Sequence, residues 1–531
     1  MNKNHDRNIN KNVKITITSN NVELRDLTSK LIFMKILSGV NSISSASLDF
    51  AIPYTSHDDL KRVYDLSRCE LGNDFIINVD EGKGSSLLFV GVLISKDLNL
   101  ENNYAYISLT LKHQLIKLDQ AVRSQVFKNK KNSEIAQSLC TWSGIRVDNE
   151  VTDDHPNEQL IQFRCSDWQI FRYCLGVNGS WFIPEPGHIR IIKPKLNHPG
   201  PVIDAKDGHL IEKGRWQFSI IDQPPKLTLS AWDIQKSEAV SVVAKSTNMV
   251  DGRLAEHNNS SLSKVGWDIS LGIWPSYSSL NRCTDALLQN IRQSSINCEF
   301  KAVGSTKYKL GETLTLTGFG HDFDGSGIIT AVNHTFTPSK WTTIVTIGEP
   351  VHTLSNNFSL PGVNGLQPAI VDSYAEVDPQ GLFRINVNLP ILNSHNNKNQ
   401  IWARFAMPYA SKEASFICYP EPGDEVILSF YDDNPCYPVI VGSLHNPQRT
   451  PVIKPGDGHG MKGWKSASSE LGFDPNQETI NMSVPNAFIQ IKESGVEAAS
   501  EMDVKIKSKK QISIDGEDSV TINSRLIDLK K

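Results

Sequence analysis

Apolar and polar residues alternate along most of the first 350 positions. Ile15 and Ile17 follow the period of two that marks one face of a half-buried strand. Similar runs at 75–79 and 104–111 are bounded by Gly, Ser, Asn and Asp, which favour tight turns. The pattern predicts a mainly β fold, in which residues 1–350 form two or more small barrels with minor helices.

Helices are predicted at two places, each behind a serine that can act as an N-cap. One begins at Ser133 and stops at Gly144, and the other begins at Ser166. The second would carry three apolar side chains on one face: Trp168, Phe171 and Leu175. Later strands are predicted at 181–183, 239–244, 313–317, 327–332 and 341–347.

A compact β pattern follows a segment rich in Gly and Pro, Leu360 to Asp372, which we interpret as a linker. Strands are predicted at 383–389, 401–405, 425–430 and 439–441. Four or five short strands in one small domain are typical of a closed OB-fold barrel. The region has four Lys or Arg residues, namely Arg384, Lys398, Arg404 and Lys412, so nucleic-acid binding is disfavoured.

The last fifty residues have an apolar residue at every eighth position. A period of eight indicates a repeated strand-and-turn unit, and each unit has too few apolar side chains to bury them alone. Three copies wound around one axis would bury these positions and pair every strand edge. We therefore predict an intertwined trimeric β-helix, a needle, whose alternative is an antiparallel meander within one chain. The predicted core is Ile480, Phe488, Val496, Val504, Ile506, Ile512, Ile514, Val520 and Ile522.

The end of the repeat is predicted near Ile522, because the polar Asp528 stands where an apolar residue would continue it. Ile527 and Leu529 are then expected to form a separate tip structure that contacts a tip-binding partner. A second connector, rich in Gly and Pro, is predicted from Arg449 to Gly463.

Composition limits the function classes. The chain has 531 residues, so several domains are expected. Apolar residues make up 39% and charged residues 21%, and the net charge of −4 provides no global field for nucleic acid or anionic membrane. The first residues lack the apolar stretch of a secretory signal, and no apolar run is long enough to span a membrane. Eight Cys without a C-x-x-C pair predict mostly structural thiols, including Cys165 and Cys174.

Candidate chemistry is weak. Asp322, Asp324 and Ser326 partly fit a calcium loop, but Asn333 replaces the bidentate Glu, which favours a hairpin turn. His459 has no second ligand at metal-binding spacing. The acidic pairs at 153–154 and 432–433 are interpreted as solvated turns. No nucleophile elbow, phosphate-binding glycine loop or H-E-x-x-H is present, so no catalytic residue, metal or cofactor is expected.

Several segments of the sequence resemble a known family. The run 420–430, with Gly423, Asp424 and Glu425, resembles the OB-barrel signature of VgrG proteins, the spikes of type VI secretion and related contractile injection machines. The run 438–446, with Pro438, Gly442 and Asn446, continues it. The segments 165–168, 180–182 and 311–318 are similar to the family's hub.

The resemblance implies a fused hub and spike. The expected domains are a tube-facing hub (1–360), an OB barrel (373–450), a connector (451–479) and a trimeric needle with its tip (480–531). The implied partners are two further copies of the chain, an inner tube protein, baseplate proteins, a PAAR-type tip protein and the target membrane at puncture. Assembly in the bacterial cytoplasm without a signal peptide, into an extracellular or translocated particle, is also implied.

Two other function classes remain open: an envelope hydrolase carried by the spike, and a trimeric receptor-binding fibre. The sequence has no lysozyme-like insertion near the barrel and nothing after the needle, and both features speak against a built-in effector. This short form is similar to spikes of extracellular phage-tail-like particles of the antifeeding-prophage type, with a short type VI spike as the alternative.

Overall fold

The computed structural model describes residues 13–54, 58, 64–82, 84–151, 155–196, 199–206, 211–245, 249–252, 254, 262–348, 359–392, 400–457 and 460–529. His459 and the pair 153–154 lie outside these residues. The chain forms two compact units, Met1–Leu444 and His445–Lys531. Strands are the main regular structure in both units, so the predicted mainly β class is confirmed.

The first unit contains the strands β1 Lys14–Ser19, β2 Val22–Glu23, β3 Leu31–Gly39, β4 Ser45–Pro53, β5 Asp74–Asp80, β6 Ser85–Glu101, β7 Tyr104–Lys112, β8 Val122–Lys131, β9 Arg146–Asn149, β10 Pro156–Ser166, β11 Trp181–Glu185, β12 His188–Ile192, β13 Val202–Asp204, β14 Ile211–Phe218, β15 Leu227–Asp233, β16 Glu238–Val243, β17 Val250–Gly252, β18 Trp267–Ile273, β19 Ile296–Val303, β20 Thr313–Thr317, β21 Gly325–Thr337, β22 Lys340–Gly348, β23 Gln367–Val371, β24 Ile385–Asn388, β25 Gln400–Phe405, β26 Ala410–Ser411, β27 Ala414–Ser415, β28 Glu425–Phe430 and β29 Pro438–Leu444. Its helices are α1 Arg25–Thr28, α2 Ile116–Gln120, α3 Asn132–Trp142, α4 Asp167–Gly176 and α5 Tyr277–Ser294, with 3₁₀ turns at Tyr64–Arg68 and Tyr431–Asp433. The second unit contains β30 Lys462–Lys465, β31 Glu470–Asp474, β32 Thr479–Val484, β33 Ala487–Lys492 and β34 Gly495–Ser500.

A 14-stranded sheet dominates the first unit. Its main path runs β14-β19-β22-β21-β3-β4-β7-β6-β5-β1-β2, and β13, β17 and β20 attach beside it. The sheet covers two separate hydrophobic cores. One includes Ile17, Phe50 and Leu109, and the other includes Phe300 and Val345. Because hydrogen bonds continue from strand to strand, the two cores of this region share one sheet.

Helix α4 begins as the sequence predicts. The Oγ of Ser166 accepts a hydrogen bond from the backbone N of Gln169 at 3.3 Å, and the Gln169 side chain accepts from the Ser166 backbone N at 2.9 Å. This reciprocal arrangement is a capping box, which satisfies two amide groups that the first turn would leave unpaired. The cap prediction at Ser166 is therefore confirmed.

Helix α3 begins earlier than predicted. Lys131 occupies the N-cap position, so Ser133 lies inside the first turn instead of capping it. The Glu134 carboxylate accepts from the Lys131 backbone N at 3.1 Å, and this bond from the N3 position replaces a serine cap. The cap assigned to Ser133 was wrong because the helix begins at Asn132, which places Ser133 at its second position.

The longest of these helices, α5, was not predicted from the sequence. It packs on the three-stranded sheet β16-β15-β18. Its buried side chains include Leu280, Cys283, Leu288 and Ile291, which share a core with Leu229. The helical period is present, but many Ser, Asn, Gln and Arg residues dilute it, and strand patterns surround it on both sides.

Strands β23-β24-β25-β29-β28 close into a small barrel, as predicted for an OB fold. Its core is apolar and includes Val387, Ile401, Val426, Leu428 and Ile440. The first barrel strand, β23, lies inside the segment Leu360 to Asp372. The linker interpretation of that segment was therefore wrong over residues 367–371, where Pro368 occupies a strand position despite the breaker composition.

The second unit is a five-stranded antiparallel meander, β30 to β34. Strands β30 and β31 lie within residues 451–479, the segment expected to be a connector. Residues 501–529, all of them described, contain no helix or strand. The strand pairing of this unit therefore stops at Ser500, where β34 ends.

We predict that Ser166→Ala lowers the free energy of unfolding by about 1 kcal/mol, because the backbone N of Gln169 loses its acceptor. Urea unfolding of the full-length chain measures the change. Ser138→Ala is the matched control, since the exposed Ser138 hydroxyl bonds only to the Glu134 carbonyl one turn back. An equal loss in both variants would contradict the capping role.

Candidate assembly site

The first half of the OB signature closes the barrel. Gly423 adopts φ +87°, in the left-handed region that favours glycine, and its backbone N donates to the Val371 carbonyl at 2.8 Å. The Asp424 carboxylate accepts from the Glu421 backbone N at 2.8 Å. Glu425 is the first residue of β28. These residues form the turn that precedes β28 and attach it to the end of β23, and their role is structural.

The second half of the signature lies at β29 and beyond. Pro438 begins β29, and Gly442 lies opposite Ile427 beside an irregularity in strand register. Asn446 belongs to the second unit, where its carboxamide oxygen accepts from the Arg449 backbone N at 2.9 Å. The signature therefore identifies backbone geometry and not a reactive centre.

The side chain of Gln159 joins strand β10 to the barrel. Its Nε2 donates to the carbonyls of Trp402, at 3.2 Å, and Cys436, at 3.1 Å, while its Oε1 accepts from the Trp402 backbone N at 3.0 Å. One carboxamide thus satisfies three backbone groups across the contact. A bond set of this kind fixes direction as well as distance, because each donor and acceptor must be aligned.

Arg384 makes a second, ionic connection between the same parts. Its Nη1 donates to the Glu158 carboxylate of β10 at 2.9 Å, and its Nε donates to the Asp378 carboxylate at 3.1 Å. The guanidinium also lies 5.8 Å from the centre of the Trp402 ring. The side chain of Arg384 is 8% exposed and that of Asp378 is 5% exposed, so the pair is largely removed from water.

This environment shifts the pKa values of both groups. Burial would raise the pKa of Asp378, but hydrogen bonds from the Arg384 side chain and from backbone amides hold it down to about 2. Burial would lower the pKa of Arg384, and the bonds to Asp378 and Glu158 instead raise it. Asp378 and Arg384 are therefore both ionised at neutral pH.

The remaining candidate chemistry is structural. The Asp324 carboxylate accepts from the backbone N atoms of Gly318, at 3.1 Å, and Phe319, at 2.8 Å, which closes a hairpin. Within the described ranges, no group of three or more His, Cys, Asp or Glu residues is placed to hold a metal ion. Cys165 and Cys174 are buried as predicted, and burial raises the pKa of Cys165 to about 11. No helix in the described part of the chain is long and apolar enough to cross a membrane.

In the second unit, the predicted core residues of the meander fall on two faces. Ile480 pairs with Ile491, which pairs with Val496, so these three side chains share a face. Phe488 pairs with Ser483 and therefore lies on the opposite face. All five strands contribute apolar side chains to the face of Ile480. Besides Ile491 and Val496 these are Trp464, Leu471, Phe473, Met482, Val484 and Ile489.

All nine predicted core side chains are exposed in the single chain. Their exposed fractions range from 38% for Ile480 to 71% for Val496 and Ile506. The tip residues Ile527 and Leu529 are 54% and 91% exposed. A run of exposed apolar side chains this long is unusual for a surface that faces only water.

Comparison with known families follows this architecture. A family model described as the Alg8 N-terminal domain matches residues 9–338, more than half of the chain. The chain belongs to this family. A second model, described as the type VI secretion system/phage-baseplate injector OB domain, matches residues 367–445, which span the closed barrel. The predicted OB barrel and the resemblance to VgrG proteins are confirmed.

Curated relatives of this Alg8-type chain include the type VI secretion system spike proteins VgrG1c and VgrG1b of Pseudomonas aeruginosa. The chain is 28% identical to each over 127 residues, which is 23% of its own length. The match covers 18% of VgrG1c and 17% of VgrG1b. The chain therefore matches less than a fifth of the length of these relatives.

Solved structures share the fold at low sequence identity. A chain of a Francisella PdpA-VgrG complex aligns with a TM-score of 0.62 and 10% identity, over 93% of this chain and 81% of that one. The E. coli c3393 protein, a type VI secretion component similar to the T4 tail proteins gp27 and gp5, aligns with a TM-score of 0.51 and 13% identity, over 82% of this chain and 100% of that one. A tail protein from Neisseria meningitidis aligns with a TM-score of 0.50 and 12% identity, over 66% of this chain and 99% of that one.

The residues that join β10 to the barrel were missed in the sequence. Glu158 and Arg384 are 226 positions apart, and no periodicity links them. Arg384 was noticed only as one of four basic residues in the barrel. Asp378 belongs to the turn-forming run Asp-Pro-Gln-Gly, whose composition predicts a turn but not an ion pair.

We predict that Asp378→Asn reduces the acid sensitivity of the first unit. The folded pKa of Asp378, about 2, lies below its unfolded value of about 3.9, so its stabilisation is complete above pH 4 and is lost as the pH falls toward 2. Thermal midpoints measured between pH 5 and pH 2 should fall more steeply for the natural protein than for Asp378→Asn. Asp26→Asn, at an exposed carboxylate, should follow the natural protein; identical slopes for all three would contradict the role of Asp378.

Proposed function

We propose that the protein is the non-enzymatic homotrimeric hub and central spike of a contractile injection machine. The proposal rests on the family membership, on the spike and tail proteins that it resembles, and above all on the apolar register after Ser500. Residues 1–360 would be the tube-facing hub, the OB barrel of 373–450 would be a collar, and the C-terminal residues would be the needle.

The trimer proposal rests on whether the apolar positions have even or odd residue numbers, which we call their parity. In the antiparallel meander, each two-residue turn reverses parity: even positions such as Ile480 are followed by odd ones such as Ile491 and then by the even Val496. After Ser500 the apolar positions of the repeat are all even: Val504, Ile506, Ile512, Ile514, Val520 and Ile522. Antiparallel strands joined by two-residue turns would place alternate members on opposite faces.

A chain that winds around an axis without reversing keeps all six even positions on one side. Three copies are the simplest arrangement in which each chain meets two partners, and their edges can pair because residues 501–529 contain no strand. The same winding would also cover the apolar face of the meander. The trimer core is then strongest from Val504 onward, with Phe488 outside it.

The proposed mechanism is the transmission of force. The inner tube would push on the hub, and the load would pass to the barrel through contacts such as those of Gln159 and Arg384. The needle would then breach the target membrane. Ile527 and Leu529, exposed at the end of the described chain, are the proposed contacts for a PAAR-type tip protein.

The wider setting belongs to the same proposal. Baseplate proteins would surround the hub, and assembly would take place in the bacterial cytoplasm before the particle acts outside it. A non-enzymatic role is supported by the matched relatives, which are described as spike and tail proteins. A cell-wall zymogram of the purified chain tests this point, and clear lysis would contradict it.

We predict that Val504→Asp or Ile512→Asp converts a three-chain particle into monomers. Each substitution would bring three like charges together on one axis in an apolar core, at a cost of several kcal/mol per ion. Size-exclusion chromatography with light scattering measures the mass, which should equal three chains for the natural protein and one chain for the variants.

Ser513→Asp is the matched control, because it adds the same charge at an odd position, on the side of the strand away from Ile512 and Ile514. This variant should remain a trimer. If Val504→Asp and Ile512→Asp also remained stable trimers, the core assignment would be wrong. A natural protein with the mass of one chain would overturn the trimer itself, whatever the variants do.

A further inference from the structure

A cavity of about 440 Å³ lies within the first unit, where three of its parts meet. The first wall comes from β8 and β10, the second from β15, β18 and the start of α5, and the third from the barrel. Its volume falls in the range of small-molecule sites, which often lie between domains. The proposed spike function does not use this cavity.

Two of these walls are in close contact with each other. Gly272 of β18 lies against the Asp432 side chain, and a Cβ at Gly272 would lie 1.3 Å from its Oδ2. Asp432 and Asp433 both adopt left-handed backbone, at φ +49° and +56°, which is uncommon for residues other than glycine. The adjacent residues Ile273 and Tyr431 line the cavity. The wall that includes β18 therefore packs directly against the barrel wall beside the cavity.

The lining of the cavity is cationic. Lys128, Arg282, Arg384 and Arg404 face two carboxylates, Glu158 and Asp233. Arg384 is already neutralised by Glu158 and by Asp378 behind it. The guanidinium groups of Arg282 and Arg404 add positive charge to the lining beyond that of Arg384.

Two arginines of the lining lack acceptors. The Nε of Arg282 is buried and has no hydrogen-bond partner among the described residues. Arg404 is half-buried and makes no ion pair or side-chain hydrogen bond with any residue that the structure describes. A buried donor without an acceptor is unfavourable, because it loses its hydrogen bonds to water and gains none in the protein. An anionic ligand in the cavity would remove this cost, because it would supply acceptor oxygens to both guanidinium groups.

The start of α5 adds to the same field. Ser276 caps this 18-residue helix, and Ser276 and Ser279 both line the cavity. The first turn has no acidic residue to offset the positive end of the helix dipole. Arg282 lies one turn further along the helix. The N-terminus of α5 and the Arg282 guanidinium therefore both border the cavity.

Aromatic side chains form the rest of the lining. Trp274, Trp402, Tyr431 and Tyr437 line the cavity with the cationic groups. Planar rings provide apolar contact area for a flat ligand group, in offset or edge-to-face arrangements. We propose that this cavity binds a small aromatic anion, a compound that carries a carboxylate or phosphate on an aromatic ring. Arg282 and Arg404 bind the anionic group, and the aromatic walls contact the ring.

Isothermal titration of the full-length protein with phenyl phosphate, benzoate and inorganic phosphate tests the proposal. At least one aromatic anion should bind, at least tenfold more tightly than inorganic phosphate, because only the aromatic probes use both parts of the lining. Tighter binding of benzoate would identify a carboxylate ligand, and tighter binding of phenyl phosphate would identify a phosphate ester. No saturable binding of either aromatic probe up to millimolar concentration would overturn the proposal.

Substitutions then locate the site. Arg404→Gln and Arg282→Gln should each weaken the bound aromatic probe at least tenfold, and Arg404→Lys should restore part of the affinity by retaining the charge. Arg215→Gln, which removes an exposed arginine of β14 outside the cavity, should bind as the natural protein does. Thermal midpoints verify that each variant is folded, and Arg404→Gln alone decides the matter if Arg282→Gln does not fold. Unchanged affinity in folded Arg404→Gln would show that the cavity is not the binding site.

Discussion

The architecture depends on how each sheet covers its apolar face. A strand exposes two faces, and an apolar face left in water loses about 25 cal/mol for each Å² that burial would remove from water. The first unit meets this constraint within one chain: its large sheet covers two cores, and its five-stranded barrel closes on itself. The second unit does not, because its five-stranded sheet and the residues that follow leave apolar side chains exposed. The same β pattern therefore gives a self-sufficient fold in one place and an incomplete one in the other.

The polar connection between β10 and the barrel serves a different purpose from the cores. Removing Arg384, Glu158 and Asp378 from water costs much of what their attraction returns, so net stability is a weak reason for such a network. Directional bonds do constrain orientation, and Gln159 adds three more across the same contact. For the load transmission proposed above, a fixed angle between β10 and the barrel would matter more than a small gain in stability.

Local sequence patterns predicted the strands and helices better than they predicted the tertiary contacts. Alternation identified barrel strands such as Glu425–Phe430, and the Ser166 cap was visible because capping is a short-range effect. Composition misled where tertiary packing decided the outcome: Gln367–Val371 is a strand inside a breaker-rich segment, and α5 is a helix among strand patterns. The Arg384 network and the cavity were beyond sequence reasoning, since both depend on residues brought together from distant parts of the chain.

The eight-residue repeat shows what periodicity can and cannot specify. Spacing alone placed Ile480, Phe488 and Val496 in one set, but face depends on how the turns reverse the chain, and the two-residue turn after β32 puts Phe488 on the other side. The residue numbers of the apolar positions show this difference. On one face of the meander they alternate between even and odd from strand to strand up to Ser500, and from Val504 to Ile522 they are all even. A change of parity rule within one repeat means that the pattern of two-residue hairpins does not continue after Ser500, which favours the proposed winding between chains. The boundary of the proposed needle core is thus indicated by whether the apolar positions are even or odd, and not by the spacing between them.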